Sequence, residues 1–96
     1  MPKGYMISAH RKEADADKRA AYLRLAKPAI LAAGGTFLST GEKVVGKENG
    51  MSERTVLIEF ESFSAALAAY ESEDYQKALR ALAGGADRDV RLIEGI

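Results

Sequence analysis

His10 is the one side chain of this 96-residue sequence whose ordinary pKa lies near neutrality, which makes it the first candidate for moving a proton. The competing reading is a structural or solvated histidine at a strand end. Glu59 is the second candidate, because it stands between Ile58 and Phe60, where a carboxyl is driven toward its neutral form unless it is paired or hydrated. Its alternative is an ordinary ion pair with a lysine or arginine on a helix or across a subunit interface. A His10 and Glu59 dyad fails on distance: in an antiparallel pair with Gly4 near Phe60, His10 falls beside Arg54 or Thr55, leaving Glu59 about 17 Å away. The same topology brings the start of the last strand to His10, so Asp87 or Asp89 is expected to meet it, with Arg54 and Arg91 nearby. Such a group can orient a carboxylate or enolate and move a proton, or it can be no more than a solvated surface network. Tyr22, Phe37 and Tyr70 are candidate pocket walls, and their large apolar bodies suit ordinary packing as well.

Other patterns lead away from cofactors. Gly41-Glu42-Lys43-Val44-Val45-Gly46-Lys47 has the spacing of a phosphate-binding loop as far as its lysine. Glu48 then occupies the place of the magnesium-holding hydroxyl, and Asn49-Gly50 makes a turn where a helix must begin. Gly84-Gly85 precedes a strand and offers no helix terminus to a dinucleotide. With no cysteine, disulfides, thiolate metal sites and a thiol nucleophile are excluded, and one histidine excludes a multi-histidine metal site within a single chain. We therefore expect neither metal nor cofactor. Lys plus Arg (14) balance Asp plus Glu (14), so no bulk field draws nucleic acid or an anionic membrane. The central strands also lack the aromatic platform of an RNA binder. No long apolar segment is visible, so neither a signal peptide nor a membrane span is expected, and the cytoplasm is the default location.

The elements that must position these residues are organised around Arg54-Thr55-Val56-Leu57-Ile58-Glu59-Phe60, a β-branched run read as a central strand. Alternation places Val56, Ile58 and Phe60 on one face and Thr55, Leu57 and Glu59 on the other, so both faces need cover. Residues 4–11 read as a first strand. Asp15 or Asp17 caps a helix carrying the stripe Leu23, Ala26, Ile30 and Ala33, kinked at Pro28 and stopped by Gly34-Gly35. Residues 36–40 and 43–47 read as one strand broken or bulged at Gly41. Ser62 and Ser72 cap two short helices, and residues 89–94 supply a last strand. The order is β-α-β-β-α-β with the second helix split, an α+β ferredoxin-like plan with a four-stranded antiparallel sheet in a single domain.

Certain stretches carry a family likeness: Lys3-Gly4-Tyr5-x-Ile7, Ala32-Ala33-Gly34-Gly35-Thr36-Phe37-Leu38, Glu53-Arg54-x-Val56-x-Ile58-Glu59-Phe60, Phe63-x-x-Ala66 and Tyr70-x-Ser72-x-x-Tyr75-Gln76. In this order and spacing the chain resembles a family of small bacterial domains of unknown function within the dimeric α/β-barrel superfamily. The resemblance implies two sheets facing each other across a twofold axis, and a small-molecule cavity between sheet and helices of the kind used by cofactor-free monooxygenases. Many members carry a larger aromatic where this chain has Met6 and Tyr70. The dimer also follows from the residues, since helices cover one face of such a sheet and the other still carries apolar side chains. Two classes of function stay open. In one, His10 is the catalytic group and Tyr22, Phe37, Arg54, Glu59 and Tyr70 bind a small organic ligand for proton-transfer or monooxygenase-type chemistry; in the other, the chain is a noncatalytic interaction dimer.

Overall fold

Alternating burial runs the length of the first strand, β1 (Gly4–His10): Met6, Ser8 and His10 are buried, while Tyr5, Ile7 and Ala9 are half-buried on the opposite face. The computed structural model describes residues 2–96, and Met1, part of the opening segment read for a leader, lies outside them. The further elements are α1 (Ala16–Ala32), β2 (Thr36–Ser39), β3 (Thr55–Phe60), α2 (Phe63–Glu71), α3 (Glu73–Leu82) and β4 (Arg88–Glu94). They form a four-stranded sheet in the order β2-β3-β1-β4 with every neighbour antiparallel, the ferredoxin-like arrangement expected from the sequence. Gly4 pairs with Phe60 and Ala9 with Thr55, the register supposed in weighing the His10 and Glu59 dyad.

Local chemistry sets the helix ends. Asp15, not Asp17, caps α1 by accepting the Lys18 amide at 2.9 Å, which leaves Asp17 to favour the positive end of the helix from its first turn. The helix runs through the exposed Pro28 to Ala32, and Gly34, at φ 86°, turns the chain out of it. Ser62 accepts the Ala65 amide at 3.0 Å and starts α2. Ser72, in an extended conformation at ψ 148°, ends α2 and caps α3, which is why the second helix is split.

The expected strand over 43–47 does not form. After a bulge between Phe37 and Ser39, β2 ends, and residues 40–54 make an irregular connection. Gly41 turns the chain at φ 73° so close to the Thr55 backbone that any side chain there would collide with it. Beyond it Val45 lies 72% exposed, and the polar contacts are local, from the Gly46 amide to the Ser52 hydroxyl and from the Gly50 amide to the Lys47 carbonyl. Val44 and Val45 have strand propensity but no neighbouring strand to pair with, and context overrides propensity.

All three helices lie over the face of the sheet that carries Met6, Ile58 and Phe60. Helix α2 sits on β1, β3 and β4, whereas the main packing partner of α1 is α3. Among the described residues nothing covers the opposite face: Ile93 is 51% and Leu38 49% exposed there, beside half-buried Ile7 and Leu57. Among the described residues no helix is long and apolar enough to cross a membrane.

Candidate functional site

Because α1 leans on α3, a cavity of about 260 Å³ remains between α1 and the inner face of the sheet. One end is apolar, walled by Met6, Leu23, Ile30, Phe37 and Ile58. The other end is polar, and it follows from strand alternation. Two residues beyond Met6 comes Ser8, two further comes His10, and Arg88 lies directly across from His10 on β4. Arg54, just ahead of β3, and Arg19 on α1 complete that end. A wider, open hollow of about 520 Å³ shares His10, Arg19, Glu42 and Arg54 with the cavity, so the polar end is its mouth.

His10 is 7% exposed, and its backbone amide donates to the Arg54 carbonyl at 2.8 Å. Among the described residues its ring makes no hydrogen bond, yet no buried side-chain nitrogen is left sealed without a partner, so the ring addresses the cavity. Burial lowers its pKa, and Arg88, Arg19 and Arg54 lower it further by repelling a second positive charge. The imidazole is therefore biased toward its neutral form, with its ring open to the cavity.

Arg88 donates from Nη1 to the Ser8 hydroxyl and to the Tyr22 hydroxyl, each at 3.2 Å, with its guanidinium carbon 5.0 Å from the centre of the Tyr22 ring. The Tyr22 hydroxyl in turn shares a hydrogen bond of 2.7 Å with that of Tyr75, which is almost wholly buried. Burial, then the adjoining Tyr22, pushes the Tyr75 pKa up, so Tyr75 stays protonated and anchors the chain of hydroxyls. Arg54 donates to the Thr40 carbonyl at 2.9 Å. Arg19 is held below the ordinary arginine range by burial and then by Arg54, a sign of crowded cations.

The expected histidine and aspartate pair is absent, and the reason is the period of the strand. His10 pairs with Arg88, so Asp87 and Asp89 on either side of it point the other way. Asp89 pairs with Ala9 on the outer face and is held by Arg91 at 3.1 and 3.0 Å, which keeps its carboxyl below the usual range. Asp87 faces Arg11 at 3.7 Å. Of the residues singled out in the sequence, His10, Tyr22, Phe37 and Arg54 line the cavity together. Glu59 does not: it pairs with Tyr5 on the outer face and accepts the Tyr5 hydroxyl at 3.2 Å. Tyr70 is set back from the cavity, its ring 5.2 Å from that of Tyr75.

Sequence reasoning missed Arg88, Arg19 and Ser8. Arg88 was within reach, since extending the last strand by one residue puts Arg88, Val90 and Leu92 on the face shared with His10. Nothing in the spacing of α1 distinguishes Arg19 from its other basic residues. Among the described residues no group of three or more His, Asp or Glu is arranged to hold a metal ion.

Solved structures with this fold include RPA0582, a protein of unknown function from Rhodopseudomonas palustris. One structure of it is 18% identical, covers 99% of this chain and 83% of that one, and has a TM-score of 0.73. Its methylated form is 17% identical over 99% of this chain and 82% of that one, also with a TM-score of 0.73. A protein from Nitrosomonas europaea described as a putative antibiotic biosynthesis monooxygenase is 18% identical, covers 98% of each chain, and has a TM-score of 0.55. At these identities the likeness is one of fold. No curated protein matches the chain. The sequence itself is more specific: residues 3–96 match the family described as "Domain of unknown function (DUF1330)", and the chain belongs to that family.

Proposed function

We propose that this protein binds a small, partly apolar organic molecule between the sheet and α1, and that His10 takes a proton from it. The observation that carries the reading is a buried imidazole, its pKa lowered by burial and by the arginines, at the mouth of a cavity with one apolar and one cationic end. A neutral histidine accepts the proton of an activated C–H, the electron pair moves onto the adjoining carbonyl oxygen, and a nearby guanidinium stabilises the enolate. Returning the proton elsewhere on the carbon skeleton completes an isomerisation. With dioxygen as co-substrate, the same carbanion bonds to one oxygen atom. Cleavage of the O–O bond with loss of the remaining hydrogen on that carbon then leaves a carbonyl there and releases the second oxygen atom as water, a cofactor-free monooxygenation in which the substrate supplies all the electrons. The fold shared with the Nitrosomonas europaea protein is consistent with this second outcome.

The reading includes a homodimer. Ile7, Leu57 and Ile93 form an uncovered apolar patch on the outer face of the sheet, and a second copy applied about a twofold axis would bury it. The rival is an interaction dimer in which the cavity stays unused.

The test begins with thermal melting of the whole chain against a set of one-ring and short-chain carbonyl compounds, since a ligand of the native state raises the Tm. Proton NMR in heavy water then follows exchange of the acidic C–H of each binder. Exchange that is catalysed by the protein and abolished in His10→Ala is the expected result. Binding without any exchange, or exchange unaltered in His10→Ala, contradicts the catalytic role.

A further inference from the structure

The chain as a whole is electrically balanced, with 14 basic and 14 acidic residues, but the cavity is not. Arg19, Lys27, Arg54 and Arg88 line it against Glu42 alone. Among the described residues neither Arg19, Arg54 nor Arg88 makes a salt bridge; the ion pairs formed lie elsewhere and well exposed, at Arg11, Arg80 and Arg91. Arg88 is the most enclosed of these cations, and its side-chain hydrogen bonds go to hydroxyls, those of Ser8 and Tyr22, rather than to a carboxylate. A guanidinium has five N–H donors, so Arg88 keeps donors to spare. Like charges gathered out of bulk water repel one another, and a chain with as many acids as bases has the means to pair them. Leaving them unpaired around a hollow is the arrangement of an anion site.

Size and polarity narrow the anion. A phosphate would fill the polar end and leave the wall of Met6, Phe37 and Ile58 without a partner. A dry apolar cavity of about 150 Å³ accommodates benzene. The cavity here, near 260 Å³, has room for one ring and a short acid arm. On strand geometry Met6 and His10 are roughly 13 Å apart along β1, enough to separate an apolar body from a charged head.

We infer that the cavity takes a small organic carboxylate, a one-ring or short-chain acid whose head lies between Arg88 and Arg54 and whose body packs on Met6, Phe37 and Ile58. This rests on the reading of the cavity as a ligand site and names the class of its ligand. A carboxylate matches the fork of a guanidinium in a way that a ketone or an amide does not. The test uses phenylacetate and hexanoate against phenylacetamide and hexanamide, which keep the shape and lose the charge. Both acids are expected to raise the Tm of the whole chain, and the amides to leave it unmoved. Arg88→Gln should weaken the better acid about ten- to a hundredfold by calorimetry, with Arg88→Lys recovering part of the loss. Should Arg88→Gln fold poorly, Arg54→Gln, outside the core, gives the same readout. Amides that bind as well as the acids would overturn the inference and leave the ligand site standing. If neither acids nor amides bind, while neutral one-ring ketones do, the carboxylate is again ruled out; if nothing in any series binds, the ligand site goes with it.

Discussion

His10 is buried without an acid beside it, and this has a consequence for stability. Its folded-state pKa lies below the ordinary value of 6.5, so between the two values the unfolded chain binds more protons than the folded one. Stability from this source is therefore complete above about pH 6.5 and is lost as the pH falls through the window toward the folded-state value. Urea unfolding at a series of pH values should show a midpoint that declines below about pH 6.5 in the native chain and a shallower decline in His10→Gln. An unchanged slope would remove His10 as its cause. The hydroxyl pair inside the core allows a second expectation. Tyr75→Phe deletes one partner of the 2.7 Å contact but leaves Tyr22 bonded to Arg88, so the loss of stability should stay near 1 kcal/mol in denaturant titration.

At the scale of elements, the caps and the β1 register are the parts most readily tested and most readily read. Ser62→Ala removes the acceptor that begins α2 and should cost about 1 kcal/mol. Gly4→Ala should cost more, because its Cβ would overlap the Ser62 carbonyl at that same start. Both are measured by denaturant unfolding. The fold is legible because its signals are periodic and local: alternation in β1 and β3 assigns their faces, and serines and aspartate at helix starts fix the helix boundaries. The segment 43–47 reads as a strand because a β-branched pair looks the same in sequence whether or not a strand edge is within reach, whereas residues 40–54 form an irregular connection. The site was half legible. His10 and Arg54 come together because the β1–β3 register is the supposed one, whereas Arg88, the arginine that takes the place expected of an aspartate, lies one residue ahead of the strand expected over 89–94. Glu59 belongs to the outer face that alternation had already assigned it, so its distance from the cavity follows from the same rule.

For the whole molecule, two surfaces carry the functional argument, one inside and one outside. The outer sheet face should be the twofold interface, and Leu57→Lys, at its centre, should turn a dimer into a folded monomer in sedimentation at micromolar concentration. A native chain that sediments as a monomer would remove the dimer. On the inner surface, burial and then the arginine end of the cavity hold the His10 pKa below its ordinary value. Arg88, Arg54 and Arg19 face that histidine from β4, from the segment before β3 and from α1, with Glu42 the acid on the cavity wall and Lys12, Glu13 and Glu53 farther out at the mouth. A bound carboxylate offsets part of that positive field, so the imidazole should gain a proton more easily when the cavity is filled. As the only histidine in the chain, His10 gives a single imidazole signal, and its NMR titration with and without saturating phenylacetate is the most direct measurement. A midpoint below 6.5 is expected in the free protein and a higher one in the complex; a free-protein midpoint at or above 6.5, unmoved by the acid, would refute the influence of the arginines on His10.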